Sequence, residues 1–149
     1  MDAIALLKDD HDKLKKILED LDSTTERGVK TRQELFSKVK QELTVHESIE
    51  EEIFYPDLKA HPKAKDLVLE AYEEHHVVDT ILAEIGEVPF EDETWGAKLT
   101  VMKENIEHHI EEEEGEMFKQ ARQVFSKEEL EDLGGRMEAR KKELLASVP

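Results

Sequence analysis

The chain has 149 residues, 40% of them charged, with a formal net charge of -17 and no cysteine. That length suits a single domain with a real core, read here as one domain over 1–149. The negative charge excludes nucleic acid and anionic membrane surfaces as expected partners, and the missing cysteine excludes disulfides, thiolate ligands and iron–sulfur clusters.

Glycine and proline are scarce, so a mostly helical soluble protein is expected. No apolar run reaches the length of a membrane span. The start, Met1-Asp2-Ala3-Ile4, lacks the basic and apolar regions of a signal peptide, which points to a cytoplasmic location.

A first helix is predicted over Ala3 to Leu21, capped by Asp2. Ile4, Leu7, His11, Leu14, Leu18 and Leu21 form one apolar stripe interrupted by His11. A polar loop follows from Asp22 to Lys30. A second helix starts at the capping box Thr31-Arg32-Gln33-Glu34, with the stripe Leu35, Val39, Leu43, His46, Glu50 and Ile53. Pro56 should kink or end it. The chain turns near His61-Pro62, with proline suited to the first position of the next helix.

The third helix is predicted over Lys63 to Ile85, with Val68, Tyr72, His75, Val78, Leu82 and Ile85 on its core face. His76 lies about 100° round from His75 and is the neighbour rather than the inward residue. The fourth is predicted over Glu93 to Val124, with Leu99, Met102, Ile106, His109, Glu113 and Met117 facing in. His108 and the flanking Glu111, Glu112 and Glu114 face water. A second capping box, Ser126-Lys127-Glu128-Glu129, opens a fifth helix ending near Ser147. Inside it, Gly134-Gly135 marks a bend or a close backbone approach. The fold class is therefore all-α: an up-down-up-down four-helix bundle over about 1–125, with an additional C-terminal helix over about 126–147.

Each of the four long helices carries one histidine on its core stripe. His46 and His109 are each followed four residues later by a glutamate, Glu50 and Glu113, so each pair stacks on one helix face. A lone histidine on an apolar face is usually a satisfied core residue. Two buried carboxylates are harder to dismiss, because each costs on the order of several kcal/mol without a compensating cation. The core stripes hold no Lys or Arg to pair with them, so a metal is the expected compensation. Four imidazoles and two carboxylates exceed what one structural zinc takes. Two iron ions fit the set better, although manganese and zinc suit the same donors. Glu47, Tyr72 and Asp79 are candidates for an extra ligand or a hydrogen-bond acceptor to an imidazole. Glu47 is read first as a surface charge, and Tyr55 and Tyr72 first as structural aromatics. A ferritin-type site needs Glu-x-x-His on two helices, and only Glu73 with His76 matches.

The pattern His11, His46-x-x-x-Glu50, His75, His109-x-x-x-Glu113 resembles the hemerythrin HHE cation-binding family. So do Asp10-His11-Asp12-Lys13-Leu14, Glu51-Glu52-Ile53-Phe54-Tyr55-Pro56, Glu73-Glu74-His75, and His109 through Phe118. The resemblance implies a non-haem di-iron centre in a four-helix bundle, with His11, His46, His75 and His109 as iron ligands and Glu50 and Glu113 as bridges. Oxygen-carrying hemerythrins have a further histidine where this chain has Asp79. They also have an aspartate five residues after the last histidine, where this chain has Glu113 four residues on. The pattern is also similar to the di-iron domain of iron–sulfur-cluster repair proteins, which add a cysteine-containing segment. The function implied is binding of molecular oxygen, nitric oxide or peroxide for sensing, storage or stress protection. A di-iron enzyme turning over peroxide or nitric oxide, and an iron storage or delivery protein, use the same ligands. The residues alone do not separate these readings.

Overall fold

The computed structural model describes residues 1–147. Helix α1 spans Ala3–Asp22, and the Asp2 carboxylate accepts the Ala5 N–H at 2.8 Å, as a cap should. Every member of its expected stripe, His11 included, is buried. Helix α2 spans Val29–Ile49 and starts two residues before the expected capping box, after Gly28 and without a side-chain cap. The correction has a physical source in Arg32, which is buried rather than capping. Its guanidinium donates to the Phe90 carbonyl at 2.5 Å and to Thr24 Oγ1 at 2.9 Å, and lies 4.5 Å over the Trp95 ring. This anchor draws Val29 and Lys30 into the helix.

At Glu50 the regular winding stops. Glu50–Phe54 forms one π-helical turn, in which the Tyr55 N–H bonds the Glu50 carbonyl, and Tyr55–Lys59 resumes as α3. A wider turn tolerates Pro56, which has no N–H to give. It also advances the register by one residue. Ile53, expected on the core stripe, is only half-buried, whereas Phe54 and Tyr55 are buried completely. A turn carries the chain past Pro62 to α4, Lys65–Gly86, so the helix begins beyond the proline rather than on it. The expected fourth helix is likewise interrupted. It comprises α5 (Trp95–Glu112), a π-helical turn at Glu113–Met117 and α6 (Phe118–Val124). Helix α7 spans Lys127–Ala146, and its capping box forms in both directions between Ser126 and Glu129.

Among the described residues there is no strand, and no helix is long and apolar enough to cross a membrane. Helix α1 packs between α2 and α5, α5 packs on α4, and α7 lies across α1 and α2. The apolar interior falls into two clusters. One gathers Ile4, Leu7, Phe54, Tyr55, Leu58 and Phe118 with Leu130, Leu133 and Met137 of α7. The other gathers Leu14, Leu18, Leu43, Trp95, Leu99 and Ile106. The histidines His11, His46, His75 and His109 sit within the helices, between the members of one cluster and those of the other.

Gly134 explains one of the two adjacent glycines. A Cβ there would sit 2.3 Å from the Met1 carbonyl oxygen and 2.7 Å from the Asp2 carbonyl carbon, both backbone atoms. A Cβ on Gly135 would meet nothing within 4 Å. Gly134→Ala should therefore destabilise the protein by about 1–3 kcal/mol through overpacking, while Gly135→Ala should stabilise it by about 0.5–1 kcal/mol through helix propensity. Urea unfolding of the two variants checks this; equal effects would contradict the close seat of α7 on the N-terminus.

Candidate metal centre

The two π-helical turns begin at Glu50 and Glu113, and after each glutamate two consecutive residues also face inward. After Glu50 these are Phe54 and Tyr55; after Glu113 they are Met117 and Phe118. The aromatic residue that closes each turn lies over an isolated histidine. Tyr55 packs on His75 with ring centroids 5.4 Å apart, and Phe118 stacks on His11 at 6.0 Å. The two halves of the centre are thus built alike, with a phenol on one side and a phenyl on the other.

All six expected residues meet in one place. His11 Nε2 lies 3.0 Å from Glu113 Oε1, and His109 Nε2 lies 3.3 Å from Glu113 Oε2. His46 and His75 each place Nε2 3.2 Å from Glu50 Oε1. Their donor atoms fall into two overlapping groups, His11, His46, Glu50 and Glu113 in one, and Glu50, His75 and His109 in the other. Glu50 is 0% and Glu113 1% exposed, so water does not solvate them.

The outward imidazole nitrogens are all engaged. His11 Nδ1 pairs with Glu114 at 2.7 Å, His46 Nδ1 with Asp10 at 3.0 Å, His75 Nδ1 with Glu51 at 2.7 Å, and His109 Nδ1 with Glu74 at 2.7 Å. A carboxylate on Nδ1 fixes the proton there and turns Nε2 toward the centre. Those inner atoms lack partners. His11, His46 and His109 Nε2, both Glu50 oxygens and Glu113 Oε1 are buried and make no hydrogen bond. Buried polar atoms are normally satisfied, so this convergent set of nitrogen and oxygen donors fits a metal.

The other candidates divide. Glu47 is buried rather than a surface charge, because it lies against the site where α2 faces α4. Burial, with Asp79 beside it, pushes its carboxyl up to about 9. Asp79 itself is exposed and does not accept from His75, since Glu51 holds that nitrogen. Tyr72 stays half-buried and meets the ring of Tyr55 edge-on at 5.4 Å. Tyr55 is the tyrosine that reaches the centre: its hydroxyl donates to Glu113 Oε2 and lies 3.4 Å from His75 Nε2. Glu114, expected to face water, instead serves His11. His76 and His108 are exposed.

The sequence reading missed the four carboxylates on Nδ1, although a signal existed. Asp10 and Glu74 directly precede His11 and His75; Glu51 and Glu114 directly follow Glu50 and Glu113. Each serves the histidine of a neighbouring helix.

Beside the imidazoles lies a cavity of about 20 Å³, lined by the four histidines, Glu47 and the aliphatic side chains of Leu14, Leu43, Val78, Ile106 and Ile110. Glu47 also lines an open groove between α2 and α4, with Glu51 and Asp79.

Charge balance without metal falls to protons. Burial works against the charged imidazoles, but the carboxylates outweigh it, raising His75 to about 9 and His109 to about 11. Burial likewise opposes ionisation of Glu113, yet His109 and His11 hold it well below the usual carboxylate range. A histidine raised in the folded state stabilises below its unfolded value of about 6.5, and that contribution is lost as pH climbs through the folded value. Metal-stripped protein should therefore melt at progressively lower temperature from pH 7 to pH 10, and metal-loaded protein should not, because its imidazoles are neutral. A metal-stripped protein whose melting temperature held level or rose over that range would contradict the arrangement.

Residues 2–121 match the model of the hemerythrin HHE cation binding domain. No curated protein matches the chain at a significant level. Among solved structures, the chain is similar to a hemerythrin HHE cation binding domain-containing protein from Mycobacterium kansasii. The TM-score is 0.89 and the identity 28%, over 99% of this chain and 89% of that one. The matched segment contains the four buried histidines together with Glu50 and Glu113, and with them the chain belongs to the hemerythrin HHE cation binding domain family.

Proposed function

We propose that this protein is a hemerythrin-like non-haem di-iron protein that binds molecular oxygen, or nitric oxide or peroxide, for sensing, storage or stress protection. In this reading α1, α2, α4 and α5 run up-down-up-down as a four-helix bundle, and α7 is an additional helix. His11 and His46 would hold one iron and His75 and His109 the other, with Glu50 and Glu113 as the carboxylates that would serve both. The observation that carries the reading is the convergent set of unpartnered inner nitrogens and oxygens, whose histidines also line a cavity of about 20 Å³. A space of that size admits a water or a diatomic molecule, and its aliphatic side keeps bulk water away. Iron, when bound, would supply redox chemistry toward a small oxygen or nitrogen ligand.

The chain's own residues do the rest. The carboxylates on Nδ1 hold the four imidazoles in orientation. Tyr55 donates to Glu113 and so restrains that carboxylate. Glu47, whose carboxyl is pushed up to about 9 by burial and Asp79, stands at the cavity wall beside the imidazoles, where a carboxyl can exchange a proton with a bound molecule. This last feature favours a second reading, an enzyme turning over peroxide or nitric oxide.

Metal counting with optical spectra, before and after anaerobic reduction and return to air, tests the proposal. Two irons per chain and bands that bleach and return support reversible binding. Repeated consumption of peroxide supports turnover. Zinc alone, or no metal after growth in iron-rich medium, overturns the di-iron reading. Glu50→Ala and Glu113→Ala should each lose most of the bound iron; full occupancy in either removes that residue from the bridge.

A further inference from the structure

The four carboxylates that hold the imidazoles are not equivalent. Glu114, Glu51 and Glu74 have side chains 30%, 39% and 22% exposed. Among the described residues no lysine or arginine pairs with any of the three. Asp10 differs on both counts. Its side chain is 4% exposed, and Lys141 Nζ of α7 lies 2.5 Å from its Oδ1. Its other oxygen meets His46 Nδ1 at 3.0 Å, the longest of the four imidazole contacts.

Lys141 lies outside the matched residues 2–121. Helix α7 does not depend on it for docking. Leu130, Leu133 and Met137 are in the apolar cluster, Arg140 pairs with Glu52 at 3.2 Å, and Arg136 with Asp57 at 3.3 Å. The lysine thus does something that packing does not require of it.

We propose that Lys141 is a positioning residue that makes the two metal positions unequal. A carboxylate already shared with an ammonium group has less negative charge to offer an imidazole N–H. The Nε2 of His46 is then a poorer donor than the other three, because the acceptor on Nδ1 sets ligand basicity. The His11–His46 position therefore releases its metal before the His75–His109 position. The inference rests on the two-metal reading above.

The test loads protein with Fe(II) without oxygen, counts the metal, and follows its transfer to a coloured chelator. Wild-type protein should release two equal portions at separate rates. Lys141→Met should slow the faster portion about 10-fold and leave the slower one unchanged. Lys141→Arg, which keeps the cation, should behave as wild type. Asp10→Asn should speed the faster portion by a similar factor, and it carries the test if Lys141→Met does not fold. A lysine that merely neutralised Asp10 would alter the melting temperature and leave both rates alone. That outcome, or an equal change in both rates, overturns the inference while leaving a two-metal count intact. Fewer than two ions in wild-type protein overturns the two-metal reading itself, and the inference with it.

Discussion

Two ionisable carboxylates in a water-free interior dominate this structure. Glu50 and Glu113 cannot stay charged there without positive partners. The four imidazoles answer that need from four helices, and four further carboxylates answer the imidazoles in turn. The result is an alternation of charge that starts at the centre and ends at three part-exposed glutamates and the buried Asp10. Removing one layer leaves the next without its reason for being buried.

The backbone bends to the same demand. Both glutamates open a π-helical turn, so the helix that delivers a carboxylate also changes register directly after it. One extra residue lets two consecutive side chains follow the carboxylate inward, where regular winding would admit one. The same device at both places gives the centre an approximate twofold character. Asp10-His11 corresponds to Glu74-His75, and Glu50-Glu51 to Glu113-Glu114. Tyr55 against Phe118, and Lys141 on Asp10 alone, break that equivalence.

Much of this was legible in the residues. Helical periodicity turned His11, His46, His75 and His109 inward and His76 and His108 outward, and the structure has them so. The caps at Asp2 and Ser126 formed as read. The π-helical turns were not legible, because His-x-x-x-Glu has the same spacing on any regular helix and the change of winding comes after it. That one omission misassigned Ile53 to the core and hid Tyr55 behind Tyr72. The burial of Glu47 was hidden for a different reason: it depends on how closely α4 approaches α2, and no local pattern in α2 encodes that. Arg32 shows the same limit, since its partners Phe90 and Trp95 lie far along the chain.

The two apolar clusters have one further consequence, for cooperativity. In most domains of this size a single continuous core lets a disturbance at one end be felt at the other. Here a polar layer separates a cluster around Phe54 and Met137 from one around Trp95 and Leu99. Side chains in different clusters share no apolar neighbours, so truncations in the two should add as independent changes do. What couples the ends into one folding unit is the layer between them, and the mortar of this molecule is its most polar part.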